Sequence, residues 1–285
     1  MSGSYAEVIG DPIIQSKSPA IHNFWLGKLG LPDDYRAVQV DRAGLRDYLA
    51  ARRTDRKWRG CNVTMPHKQA IIPLLDRLDP LAARIGAVNT VVRRADGSLV
   101  GYNTDVAGFL EPLQPLLAEK HLFRMARIVG AGGAARAIVT ALSRQGFVLV
   151  LAARDPAKAQ ALLDDLASGT DHHAVDLTHF SGPTDFAFDD RKGCLDLIVN
   201  SSPLGMAGQK PLDFDLSHAP PGSVIYDIVT DPLDTPLLKA ARALGFQTID
   251  GLAMLIGQAA AAFEHFFGQP APREYDRQLR EVLTR

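Results

Sequence analysis

The sequence predicts an α/β protein of two domains, on three observations. Apolar runs of strand length alternate with amphipathic stretches along most of the chain, as in parallel sheets covered by helices. Gly130-Ala131-Gly132-Gly133-Ala134-Ala135-Arg136 lies between the apolar run Ala126 to Val129 and the helical stretch Ala137 to Arg144, so it reads as strand, glycine turn and helix start. At 285 residues the chain is long for a single core.

Taken in order, Tyr5 to Gly10 is a short apolar strand that stops at Gly10-Asp11-Pro12. Ser18-Pro19 opens an amphipathic helix to about Leu29, since proline suits a first helical turn. Tyr35 to Val40 alternates as a strand, Ala43 to Arg52 is helical, and Trp58 to Val63 is a strand. After it, Pro66 suits the start of a helix with Lys68 one turn in, at the carboxyl end of a strand. Asp76 to Ile85 is helical, and Ala87 to Arg93 and Leu99 to Gly101 are strands joined by a hairpin turn at Ala95 to Ser98.

Val106 to Lys120, amphipathic but interrupted at Pro112 and Pro115, carries the domain boundary. Beyond it come strands at 126–130, 147–152, 195–200 and 224–228, with helices at 134–144, 156–167 and 235–244. That order predicts a doubly wound parallel sheet. The segment Ser168 to Gly193 is polar and without clear period; His172, His173 and His179 in it match no metal-ligand spacing and read as solvated loop histidines. Gly251 to Gly268 is apolar on nearly all sides and should be a buried helix, and Arg273 to Leu283 an amphipathic one.

The glycine turn has its own chemistry. Gly130 permits the tight turn, Gly132 lets the backbone approach a phosphate, and Ala135 fills the third, close-packing position of a dinucleotide fingerprint. The helix amides then face the anion. Glycine pairs also occur at ordinary strand-to-helix turns, so the rest of the chain must decide.

Bulk properties narrow the field. With 31 basic and 32 acidic residues there is no net charge to attract nucleic acid or an anionic membrane, which favours a small-molecule partner by elimination. The two cysteines, Cys61 and Cys194, are far apart and in no Cys-x-x-Cys pair, so neither a disulfide scaffold nor a zinc site is indicated. No stretch reaches the length of a membrane span, and Met1 to Glu7 lacks the pattern of an export signal. The expected location is cytoplasmic.

In the first half, Ser16, Ser18, Asn62, Thr64, Lys68, Asn89 and Asp105 all fall in or beside loops at strand ends. Hydroxyls, amides and one charge pair suit a small polyhydroxylated acid, whose oxygens each need a fixed partner once water is excluded. A hydride delivered to a carbonyl carbon leaves an alkoxide in need of a proton, and a lysine held near a carboxylate supplies it. Residue types alone read equally well as a surface ion pair, and the two serines as helix caps.

Gly10-Asp11-Pro12, Ser16-Lys17-Ser18-Pro19 with Ile21-His22-Asn23, Asn62-Val63-Thr64-Met65-Pro66-His67-Lys68, Gly86-Ala87-Val88-Asn89-Thr90 and Gly101-Tyr102-Asn103-Thr104-Asp105 together resemble the ordered signatures of shikimate dehydrogenases. The glycine turn, Asn200-Ser201-Ser202-Pro203-Leu204-Gly205-Met206 and Gly251-Leu252-Ala253-Met254-Leu255-Ile256-Gly257-Gln258 continue the series over nearly the whole chain. The resemblance implies NADP-dependent interconversion of 3-dehydroshikimate and shikimate in aromatic amino-acid biosynthesis, by a cytoplasmic monomer or homodimer. It implies an N-terminal α/β substrate domain at 1–106 plus about 251–285, whose C-terminal helices return to it, and a Rossmann-type cofactor domain at 107–250. It makes Lys68 the acid/base and Asp105 its partner. Ser16 and Ser18 would bind the substrate carboxylate, and Asn62, Thr64, Asn89 and Gln258 its ring oxygens. Gly130, Ala131, Gly132, Gly133, Ala134, Arg154, Asp155, Gly251 and Met254 would meet the cofactor, and no metal is implied.

Some positions depart from the family pattern. Ala153-Arg154-Asp155 stands where the family commonly has Asn-Arg-Thr; Arg154 argues for the 2′-phosphate of NADP, whereas Asp155 suits the ribose hydroxyl of NAD. Thr230 replaces a frequent tyrosine and Val106 a usual glycine, so a quinate/shikimate dehydrogenase using NAD, or a paralogue with another polyol acid, is the alternative. Serine at position 18, where quinate-preferring members of the family it resembles tend to carry threonine, leans toward shikimate. A non-catalytic nucleotide or metabolite sensor is the alternative from a different class; it has no use for an acid/base lysine.

Overall fold

The computed structural model describes residues 3–169, 171–183 and 193–284. The chain divides into two compact units, Met1–Gly108 with Ile256–Arg285, and Phe109–Leu255.

The first unit holds strands β1 (Tyr5–Gly10), β2 (Asp34–Gln39), β3 (Trp58–Val63), β4 (Arg77–Leu78), β5 (Thr90–Arg93) and β6 (Leu99–Tyr102), with helices α1 (Ser18–Leu29), α2 (Leu45–Thr54) and α3 (Pro80–Ile85); α4 (Asp105–Leu110) begins there. The strands lie in the order β2-β1-β3-β5-β6-β4. β5 is antiparallel to both neighbours and the other pairings are parallel. The reversal follows from the tight turn after Arg93, where the Arg94 amide donates to Ser98 O at 2.8 Å: so short a connection closes only an antiparallel pair. Register then gathers one edge. Ile9 lies beside Val63, Asn62 beside Thr90 and Thr90 beside Tyr102, so the carboxyl ends of β1, β3 and β6 and the start of β5 are neighbours.

The second unit contains α5 (Gln114–Leu117), β7 (Phe123–Val129), α6 (Gly133–Arg144), β8 (Val148–Ala153), α7 (Pro156–Leu166), β9 (His173–Asp176), β10 (Cys194–Asn200), β11 (Val224–Asp227), α8 (Pro236–Ala243) and β12 (Gln247–Ile249). Its sheet is wholly parallel, in the order β12-β11-β10-β7-β8-β9. Counted from β7 this is the doubly wound order 3-2-1-4-5-6, whose direction reverses between β7 and β10. The inner strands read as continuous apolar runs because both faces are covered, and β10 is buried from Leu195 to Asn200.

Helix α9 (Gly251–Phe267) starts in the second unit and ends in the first; α10 (Asp276–Leu283) follows. The terminal helices return to the first unit as expected. Lys17 Nζ donates to Leu283 O at 2.9 Å, and Phe263 and Phe266 of α9 join His22 and Tyr35 in one aromatic cluster.

Four local expectations need correction. Lys68 is not one turn into a helix: residues 65–71 form successive turns, because its carbonyl, which a helix would engage with Ile72, accepts from the Val88 amide at 2.8 Å. The same bond removes Ala87 to Asn89 from the expected strand, which starts at Thr90. The helix expected from Asp76 begins only at Pro80, since Arg77–Leu78 pair with β6 and Asp79 caps the helix through the Leu81 amide at 2.9 Å. The polar segment after Ser168 contains β9, whose short His-Ala-Val-Asp sequence takes its order from pairing with β8, and His172 is a structural acceptor for the Leu149 amide at 3.1 Å. His173 is exposed on β9 and His179 lies in a short 3-10 turn.

Candidate active site

The gathered edge of the first sheet carries the polar residues. Thr64 follows β3, Asn89 precedes β5, and Asn103, Thr104 and Asp105 follow β6. Lys68 Nζ lies 2.6 Å from Asp105 Oδ2, with the lysine side chain 19% exposed and the carboxylate 5%. One three-residue segment holds both. The Val88 amide takes the Lys68 carbonyl, while Asn103 Nδ2 donates to Ala87 O at 2.9 Å and Asn103 Oδ1 receives the Asp105 amide at 3.0 Å. Asn89 Nδ2 donates to Asp105 Oδ1 at 2.9 Å, so both carboxylate oxygens are engaged.

The other expected residues fall around this pair in different ways. Asn89 also reaches Gln258 Oε1 on α9 at 3.5 Å, which brings the most distant predicted residue to the same cluster. Asn62 is buried, and both its amide hydrogens are taken internally, by Asn89 O at 3.2 Å and Thr90 Oγ1 at 3.0 Å. Ser16 Oγ accepts the Ser18 amide at 3.3 Å, the cap-like contact, whereas the buried Ser18 hydroxyl has no partner among the described residues. Tyr35, Thr90 and Thr104 belong to the same network without having been singled out. The repeated Asn-Thr pairs, Asn89-Thr90 and Asn103-Thr104, were a usable signal for the threonines; nothing local marks Tyr35.

In the second unit the glycine turn lies at the sheet's reversal. Gly130 has φ +107°, and a Cβ there would come within 3.0 Å of Ser201 Oγ and the Ser202 amide, which follow β10. Ser201 ties the two strand ends together, its hydroxyl donating to Val129 O at 2.7 Å. A Cβ on Gly132 would meet nothing within 4 Å, and α6 begins there with no side-chain cap. Gly132 is therefore not needed for packing; an unobstructed backbone beside uncapped helix amides suits a pyrophosphate. Ala131, Gly133 and Ala134 are partly exposed around it, and Ala135 is fully buried in the close-packing position.

Arg154 follows β8, and its guanidinium is exposed without an ion pair among the described residues. Asp155 Oδ1 caps α7, accepting the Lys158 amide at 3.1 Å. Gly251 abuts backbone: a Cβ there would lie 2.3 Å from Val229 O and 2.5 Å from Ile228 O. Met254 is buried one turn later. Burial pushes the Asp227 carboxyl up from its ordinary value, against the hydrogen bonds from Asn200, Thr235 and the Val229 amide that hold the end of β11.

The family model for the shikimate dehydrogenase substrate binding domain matches residues 8–91, and that for the shikimate 5′-dehydrogenase C-terminal domain matches 251–279. The shikimate dehydrogenase (NADP(+)) of Sphingopyxis alaskensis is 51% identical over 98% of this chain and 97% of its own. The chain belongs to the shikimate dehydrogenase family. Two solved structures carry the likeness into three dimensions. Shikimate 5-dehydrogenase from Thermus thermophilus, in complex with NADP(H) and shikimate, is 33% identical with a TM-score of 0.82, over 98% of this chain and 99% of that one. Quinate dehydrogenase from Corynebacterium glutamicum, in complex with NAD, is 34% identical with a TM-score of 0.84 over the same shares. The two α/β units are the fold of this family; among the described residues no helix is long and apolar enough to cross a membrane.

Proposed function

We propose that the protein catalyses the reversible NADP-dependent reduction of 3-dehydroshikimate to shikimate, with Lys68 as acid/base. The observation that carries this is the 2.6 Å contact of Lys68 Nζ with a nearly buried Asp105, at an edge lined by hydroxyls and amides. NADPH, when bound, supplies the hydride. Lys68 gives a proton from Nζ to the forming alkoxide oxygen and, being partly exposed, recovers one from solvent; in the oxidation it takes the hydroxyl proton. Asp105 keeps Nζ aimed. Ser16 and Ser18 bind the carboxylate, Thr64 and Gln258 ring oxygens, and Asn89, itself contacted by Asn62, holds the carboxylate of the pair.

The residues fit the cofactor. The turn from Gly130 to Ala134 would hold the pyrophosphate, Arg154 the adenosine 2′-phosphate, and Gly251 and Met254 the nicotinamide end. Asp155 is committed to its helix, which weakens its claim on a ribose hydroxyl. The substrate domain spans 1–106 plus about 251–285 and the cofactor domain 107–250, in a cytoplasmic monomer or homodimer. Quinate oxidation with NAD is the second reading, favoured by the likeness to a quinate dehydrogenase in complex with NAD.

Mixing purified protein with shikimate or quinate and NADP+ or NAD+ and following nicotinamide absorbance tests this. Turnover is expected with shikimate and NADP+; quinate with NAD+ as the better pair would install the second reading, and silence with all four combinations would remove both.

A further inference from the structure

A buried row of polar side chains runs from β2 to the reactive pair, and every link in it has one possible sense. Tyr35, 1% exposed, donates from its hydroxyl to Asn62 Oδ1 at 2.6 Å. Its ring is clamped by His22, stacked at 4.0 Å with planes 2° apart. The Asn62 amide cannot be turned over, because its nitrogen faces the backbone carbonyl of Asn89, which only accepts. Thr90 Oγ1 accepts from Asn62 at 3.0 Å and so directs its own hydrogen to Asn89 Oδ1, also 3.0 Å away. That oxygen receives the Thr104 amide at 2.8 Å as well, which leaves Asn89 Nδ2 to donate to Asp105 Oδ1 and Thr104 Oγ1, each 2.9 Å away.

We propose that Tyr35 is a positioning residue for the Lys68–Asp105 pair, acting through Asn62 and Asn89. The inference rests on the acid/base reading of that pair. Without the hydroxyl, Asn62 Oδ1 loses its donor in a buried site and the amide is free to rotate away, a cost that fixed networks of this kind avoid. Rotation leaves the Asn89 carbonyl with the Val63 amide alone, at 2.7 Å, and frees Thr90 Oγ1 to turn from Asn89 Oδ1 toward Thr104 Oγ1 at 3.4 Å, so Asn89 Nδ2 is held less firmly on Asp105 Oδ1 and Lys68 loses part of its aim. Ser16, Ser18 and Thr64 lie outside the row and Gln258 meets only its Asn89 end, at 3.5 Å, so substrate affinity follows far less than turnover.

Tyr35→Phe in the full chain keeps the ring against His22 and removes only the hydroxyl. The expected result is a kcat for shikimate oxidation lower by about tenfold, a shikimate KM within about twofold of the parent and a displaced limb in the kcat–pH profile. His22→Phe, which retains a flat ring against Tyr35, keeps the parental kcat. Tyr35→Phe added to Asn62→Leu lowers kcat no further than Asn62→Leu alone. A second readout needs no turnover: the side-chain amide protons of Asn89, observed by NMR, exchange slowly in the parent and faster in Tyr35→Phe. Unchanged Asn89 exchange, or parental kcat and pH profile in Tyr35→Phe, would overturn the proposal. Absence of turnover in the parent would count against the functional reading alone, with Asn89 exchange still deciding this one.

Discussion

Lys68 and Asp105 touch at 2.6 Å while the Lys68 carbonyl and the Asp105 carboxylate are both held by the same short segment, through the Val88 amide and the Asn89 side chain. A pair built only for stability needs no such double anchorage; a pair that must meet a substrate atom does. Lys68→Met is expected to lower kcat by about two to four orders of magnitude, the usual worth of a positioned acid/base. It also strands a nearly buried carboxylate, so Tm falls. Adding Asp105→Asn removes that stranded charge and restores part of the Tm, with no recovery of kcat. Steady-state kinetics beside thermal unfolding of both variants check the two halves; a Tm and kcat that recover together would contradict the assignment.

Arg154 and Asp155 are neighbours with different employment, one exposed at the end of β8 and the other capping α7. Arg154→Ala should raise the KM for NADP+ by about tenfold or more, the worth of a charge-assisted phosphate contact, and leave that for NAD+ nearly unchanged. Asp155→Ala should cost about 1 kcal/mol of stability through the lost cap and shift preference further toward NADP+. Paired kinetics with the two cofactors and a denaturant titration separate these effects. Equal loss with both cofactors in Arg154→Ala would place the arginine elsewhere.

Most of the strands and helices were legible because their periods and stop signals are local: Trp58 to Val63 and Pro156 onward coincide with the observed elements almost to the residue. What escaped is what long-range bonds decide. Lys68 sits in turns because Val88 claims its carbonyl, and β9 and β12 are ordered by strands that already exist beside them. The site shows the same division. Lys68, Asp105 and the glycine turn announce themselves by residue type and spacing, whereas Tyr35 is an ordinary strand tyrosine until the fold sets its hydroxyl 2.6 Å from Asn62.

Gly132 and Gly251 look alike in sequence and differ in what surrounds them. A methyl group at Gly251 would lie 2.3 Å from Val229 O, so Gly251→Ala must push the start of α9 away from the end of β11, and a Tm lower by several degrees is expected. A methyl at Gly132 meets no atom within 4 Å, so Gly132→Ala should fold normally and raise the KM for NADP+ by obstructing the pyrophosphate. Thermal unfolding and cofactor kinetics on the two variants make the contrast. Similar behaviour of both would show that the turn does not carry the phosphates.

His22 gives the first unit an acid sensitivity of its own. It is fully buried, neither ring nitrogen has a hydrogen-bond partner among the described residues, and burial lowers its pKa to about 3. The unfolded chain binds a proton at this imidazole below about pH 6.5, and the native state does not until about pH 3. Its contribution to stability is therefore intact above pH 6.5 and lost as pH falls from there toward 3, at about 1.4 kcal/mol per pH unit for one proton. His22→Phe keeps an aromatic ring against Tyr35, Trp25 and Phe263 and has nothing to titrate. Urea unfolding between pH 7 and pH 5 should show a slope shallower by about one proton in the variant than in the parent. Parallel slopes would mean that His22 takes up its proton as readily in the folded protein as in the unfolded one.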